Sequence, residues 1–150
     1  MEAEKALATL GIALPDLPKP GGNYVPVKRI DGILYLAGVI STVRGEVITG
    51  TVGQDRTIEE AYQAARYCAL TQLAVLRREL GSLDLVKEIV SVHGYVNCVA
   101  GFAESPEVIN GASDLFVAVF GEAGRHVRAA IGVSALPRHA LVELQIAAAI

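Results

Sequence analysis

The chain has 150 residues, 52% of them hydrophobic, with a formal net charge of −3 and a mean hydropathy of +0.42. That length fits one domain with a core of its own. The acidic balance and the absence of any Lys/Arg run exclude a general nucleic-acid binder. No apolar segment is long enough to span a bilayer. The start, Met1-Glu-Ala-Glu-Lys5, lacks the basic region of a signal peptide, so a cytoplasmic location is expected. Cys68 and Cys98 lie in apolar stretches and read as buried free thiols, with no disulfide framework or zinc site. The apolar excess points to surface buried against other copies of the chain.

In chain order, residues 2–12 read as a short helix, and the Pro- and Gly-rich run 13–22 breaks regular structure. Two strands follow, Tyr24 to Ile30 and Ile33 to Ile40, joined by Asp31-Gly32, a strong hairpin dipeptide. The second is apolar on both faces and so central. Val47-Ile48 reads as an edge piece. Residues 57–80 form the clearest helix, with Thr57 and Glu60 as a capping box, apolar residues at helical spacing and Gly81 as C-cap. Val86 to Val96 reads as a strand, in which His93 is expected to be partly buried. Glu107 to Phe120 is a second amphipathic helix, with Ser113-Asp114 on its solvated side. His126 to Ser134 and Leu141 to Ala148 are the last strands. The order is β-β-(β)-α-β-α-β-β, an α+β domain with two helices on one face of a mostly antiparallel sheet. The other face must meet water or another subunit.

Strand alternation assigns Val127, Ala129, Ile131 and Val133 to the helix side. Arg128 and Ala130 then share the opposite face with Glu143 and Gln145 of the next strand. An Arg and a Glu on neighbouring strands are ordinarily a cross-strand ion pair of small worth. A face of small residues bearing that pair also suits a subunit interface containing a pocket, with His126 lining the cleft or only flanking the strand.

The run Arg128-Ala-Ala-Ile-Gly-Val-Ser-Ala-Leu-Pro137, followed by Val142-Glu143-Leu144-Gln145, resembles the signature of the RidA family, also called YjgF-like or L-PSP endoribonuclease-like. Gly22-Asn23-Tyr24, Leu36-Ala37-Gly38 and Asn110 resemble further family segments in the same order. The resemblance implies a chorismate-mutase-like fold, a homotrimer and sites in the clefts between subunits. It also implies hydrolysis of reactive 2-imino and enamino acids to 2-keto acids and ammonia, a hydrolase reaction on a C=N bond without metal or organic cofactor. Arg128 would grip the substrate carboxylate, and Glu143 would position or activate the attacking water. The Ala130 carbonyl would hold that water, the Gly38 backbone would approach the ligand, Tyr24 would donate or shield at the cleft mouth, and Asn110 would complete the binding set. Ala130 stands where the family carries Cys, and Gln145 at its second acidic position, so the chain resembles a divergent subgroup. The same pocket would equally serve a non-catalytic binder or regulator of small carboxylates. Ribonuclease or translation-inhibitor function sits poorly with the acidic charge and the lack of a basic, aromatic-laced groove.

Overall fold

In a computed structural model, residues 2–17, 19 and 22–150 are described. Pro18, Pro20 and Gly21 of the expected break lie outside the described residues, as does Met1 of the expected N-terminal start. The first helix, α1 (Glu2–Thr9), is tied down by Glu4, whose carboxylate accepts from Arg77 at 2.6 Å and from the Leu83 backbone at 2.7 Å. Strands β1 (Val27–Ile30) and β2 (Ile33–Leu36) pair around Asp31-Gly32. Both turn residues adopt positive φ, +47° and +83°, as a two-residue hairpin turn of this hand requires.

The expected single strand to Ile40 is two. It breaks at Ala37-Gly38, and β3 (Val39–Ile40) re-forms against the last strand. The break is held by Gln72, which is fully buried. Its side-chain amide donates to the Ala37 carbonyl at 3.0 Å and the Leu144 carbonyl at 2.9 Å. The expected edge piece at Val47-Ile48 is the second arm of a small hairpin, β4 (Thr42–Val43) with β5 (Glu46–Val47).

Helix α2 (Ile58–Leu80) begins with the expected capping box, both reciprocal bonds present, and ends on Gly81 in the left-handed conformation. It packs on α3 (Ser105–Phe120). Gly111 makes the approach possible, because a Cβ there would stand 2.0 Å from the Tyr62 carbonyl oxygen. Strands β6 (Glu88–Asn97), β7 (Val127–Val133) and β8 (Val142–Ala149) complete the sheet. Its order is β1-β2-β8-β6-β7, with β3 also on β8. Pairing is antiparallel throughout except for β6 and β7, which run parallel. The core between sheet and helices contains Leu34, Leu73, Val92, Phe116 and Leu144, all fully buried. Cys68 and Cys98 are buried free thiols within it, as expected.

Candidate functional site

Strand β7 faces the other way from the sequence expectation. Val127 is 72% exposed and Ile131 49%, whereas Arg128 and Ala130 are half-buried on the helix side. Register explains this. Arg128 is level with Val92 on β6, and Val92 with Ile146 on β8, both buried under the helices. Small residues in β7 let the chain pack close: a Cβ at Gly132 would lie 2.6 Å from the Cys98 sulfur. The apolar members of the alternation are therefore left on the uncovered face.

Arg128 and Glu143 do not share a face, as strand alternation alone predicts they would. Glu143 is level with Tyr95 and Ile131, three register steps from the Arg128 row and so of opposite parity. Arg128 and Glu143 thus project from opposite faces of the sheet, with β6 between their strands, and make no cross-strand pair within one chain. His93, expected partly buried, is exposed on the uncovered face.

The candidate residues fall into two groups. The first surrounds Arg128 in an open cavity of about 290 Å³ lined by Asn110, Ser113, Asp114, Val117, Arg125, His126 and Arg128. Asn110, Ser113 and Val117 are successive members of one face of α3. Arg128 donates to the Ser113 hydroxyl at 2.9 Å through Nη1 and to the Pro106 carbonyl at 3.0 Å through Nη2. A guanidinium carries five N–H groups, so these two bonds leave donors for a ligand. Ser113 Oγ is 2.8 Å from His126 Nε2, and His126 Nδ1 is 2.6 Å from the Gly124 carbonyl. The His126 ring packs edge-on against Phe116. Burial holds its pKa below the ordinary histidine value; the Gly124 bond opposes this shift and the Arg128 charge adds to it.

The second group lies at the break between β2 and β3. The Glu143 carboxylate covers Gly38, where a Cβ would stand 2.6 Å from Oε2. Burial raises the Glu143 pKa above the ordinary carboxylate value. Cys68 lies beneath, its thiol pKa pushed up by burial and then by the Glu143 charge, so it is an inert thiol. Tyr24 is exposed in the segment ahead of β1, and Ala130 sits two residues along β7 on the Arg128 side.

Sequence reasoning missed Ser113 and His126 as a bonded pair. Ser113 is half-buried, not solvated; Asp114 beside it is exposed and accepts from the Tyr62 hydroxyl at 2.6 Å. The signal was available in the spacing. Ser113 follows Asn110 by three on a helix, and His126 precedes Arg128 by two at a strand, each pair sharing a face.

Residues 4–150 match the family model described as "YjgF/chorismate_mutase-like, putative endoribonuclease". Protein TCP17 of Trypanosoma cruzi is 41% identical over 140 residues, covering 92% of this chain and 88% of that protein. The crystal structure of Atu1372 from Agrobacterium tumefaciens, a protein of unknown function, superposes with a TM-score of 0.90 at 38% identity, covering 99% of this chain and 92% of that one. A Shewanella oneidensis protein described as a "putative endoribonuclease" superposes with a TM-score of 0.95 at 31% identity over the whole of both chains.

Proposed function

This chain belongs to the YjgF/chorismate mutase-like family, and on that premise we propose that it hydrolyses 2-imino and enamino acids to 2-keto acids and ammonia at clefts between copies of a homotrimer. The observation that carries the reading is Arg128 at the wall of an open cavity, anchored by two bonds and with donors to spare. A planar cationic fork in such a place suits a small carboxylate.

Glu143 supplies the second function. As a carboxylate it takes a proton from water while the oxygen adds to the C=N carbon, and returns that proton to the nitrogen; transfer of the adduct's hydroxyl proton to the nitrogen as the C–N bond breaks then expels ammonia and leaves the keto group. Its raised pKa makes it a stronger base than an exposed glutamate. Because Arg128 and Glu143 project from opposite faces, a site that uses both draws them from two copies. The exposed apolar residues of the edge strand β7, Val127 and Ile131, provide surface for such an association. Gly38 leaves room at the Glu143 side, with Tyr24 at the mouth and Asn110 and Ala130 on the Arg128 side.

The endoribonuclease wording in the relatives' names would call for a cationic groove with stacking aromatics, which suits a chain of net charge −3 poorly. No helix among the described residues is long and apolar enough to cross a membrane, in keeping with the cytoplasmic location we infer. The test is keto-acid and ammonia release when an amino-acid oxidase or dehydratase generates the imine in place. Acceleration over the uncatalysed hydrolysis supports the reading. A rate unchanged by the protein while it binds 2-ketobutyrate would reduce it to a carboxylate binder.

A further inference from the structure

We propose that Ser113 is the specificity-determining residue that distinguishes a nitrogen-bearing ligand from its oxo counterpart in the Arg128 cavity, and that His126 is the positioning residue that sets its polarity. The inference rests on the carboxylate reading of Arg128 and deepens it.

The polarity follows from donor and acceptor accounting. A backbone carbonyl can only accept, so His126 Nδ1 carries the hydrogen in its 2.6 Å contact with Gly124. In neutral His126, Nε2 is then the acceptor and the Ser113 hydroxyl must donate its proton to it. One Ser113 lone pair accepts from Arg128 Nη1. The one remaining valence of the hydroxyl is its second lone pair, on a side chain that lines the cavity. Next to the guanidinium, the cavity therefore offers an acceptor. It matches the N–H of a 2-imino acid held by its carboxylate and opposes the carbonyl oxygen of the 2-keto product.

Protonating His126 inverts this. Nε2 becomes a donor, Ser113 accepts from both His126 and Arg128, and its own O–H is released toward the ligand. The charged residues that line the cavity with His126 are Arg128 and Arg125 from its own segment and Asp114 from α3; of these, the Arg128 charge acts on His126. Arg125 is bound to Glu122 at 3.0 Å and Asp114 to Tyr62. Burial keeps His126 neutral at ordinary pH, so the acceptor form is the working one.

The experiment is calorimetric titration of the assembled protein with pyrrole-2-carboxylate and furan-2-carboxylate. These are planar carboxylates of one shape, carrying an N–H or an oxygen next to the carboxylate-bearing carbon. At about pH 8 the wild type should bind the pyrrole about fivefold more tightly, the worth of one ordinary hydrogen bond. Ser113→Ala should erase the preference. His126→Phe should shrink it, because the hydroxyl is then free to turn. Lowering the pH of the wild type should shift the preference toward the furan compound as His126 takes up its proton. Equal binding of the two by wild type, or a preference that survives Ser113→Ala, overturns the inference. Arg128→Ala separates the two levels: if it abolishes binding of both compounds, the carboxylate reading stands whatever Ser113 does. If it leaves both unchanged, or wild type binds neither, the carboxylate reading fails and this inference with it.

Discussion

The carboxylate of Glu143 lies directly over Gly38, so close that a Cβ at that position would stand 2.6 Å from Oε2. Gly38 is thus the residue whose missing side chain leaves Glu143 its place. Gly38→Ala meets only the far end of a flexible side chain, so the fold should survive while the carboxylate is displaced. Imine hydrolysis should fall at least tenfold, the scale on which misplaced catalytic groups act, with ligand binding at Arg128 retained. Full activity in a folded Gly38→Ala variant would remove Glu143 from the mechanism.

Glu143 also links function to stability through pH. Burial disfavours its ionised form, so its pKa is higher folded than unfolded. The folded state then holds the extra proton, and this contribution to stability is fully present below the unfolded pKa and lost as pH rises through the folded one. Glu143→Gln removes that loss. The variant should melt at the wild-type temperature or above it at neutral pH, and any advantage should vanish in acid. Turnover should collapse while 2-ketobutyrate still binds. A variant that melts well below wild type at neutral pH would contradict this account.

Gln72 is tested by Gln72→Leu, which keeps the bulk and removes the amide that holds the Ala37 and Leu144 carbonyls. Its own Oε1 has no partner, so the substitution also relieves one buried acceptor. The loss of donors to two carbonyls should still prevail, at about 1–3 kcal/mol. Chemical denaturation measures it, and equal stability would show that the strand break holds without the clamp.

Val127 and Ile131 stand on the uncovered sheet face of β7. Val127→Asp with Ile131→Asp places charge where the proposed trimer buries apolar surface. Sedimentation should show dissociation to monomers with the helical signal intact. A trimer that persists with both substitutions would place the interface elsewhere.

The local elements were legible because their signals are short-range. Asp31-Gly32 forms its turn, and Thr57 with Glu60 caps α2 through contacts three residues apart. The facing of β7 was not legible. Alternation shows which residues share a face, but not which face the helices cover. Val127 and Ile131 looked like core residues, while the helix side is taken by Arg128, Ala130 and Gly132, small residues and one anchored cation. The break at Gly38 was hidden for a related reason. An apolar run from Ile33 to Ile40 reads as one strand, and its interruption depends on Gln72, 35 residues away from Ala37 in sequence.

The central claim is that Arg128 and Glu143 of one site come from different copies, and subunit complementation tests it most directly. Arg128→Ala and Glu143→Gln chains, each carrying its own tag, are co-expressed, and the doubly tagged mixed trimers are purified and assayed for keto-acid release. Each variant alone should be inactive. Every mixed cyclic trimer has one junction of its three that joins an intact Arg128 to an intact Glu143, so the mixed population should regain about a third of wild-type activity. Mixed trimers as inactive as either parent would contradict the account.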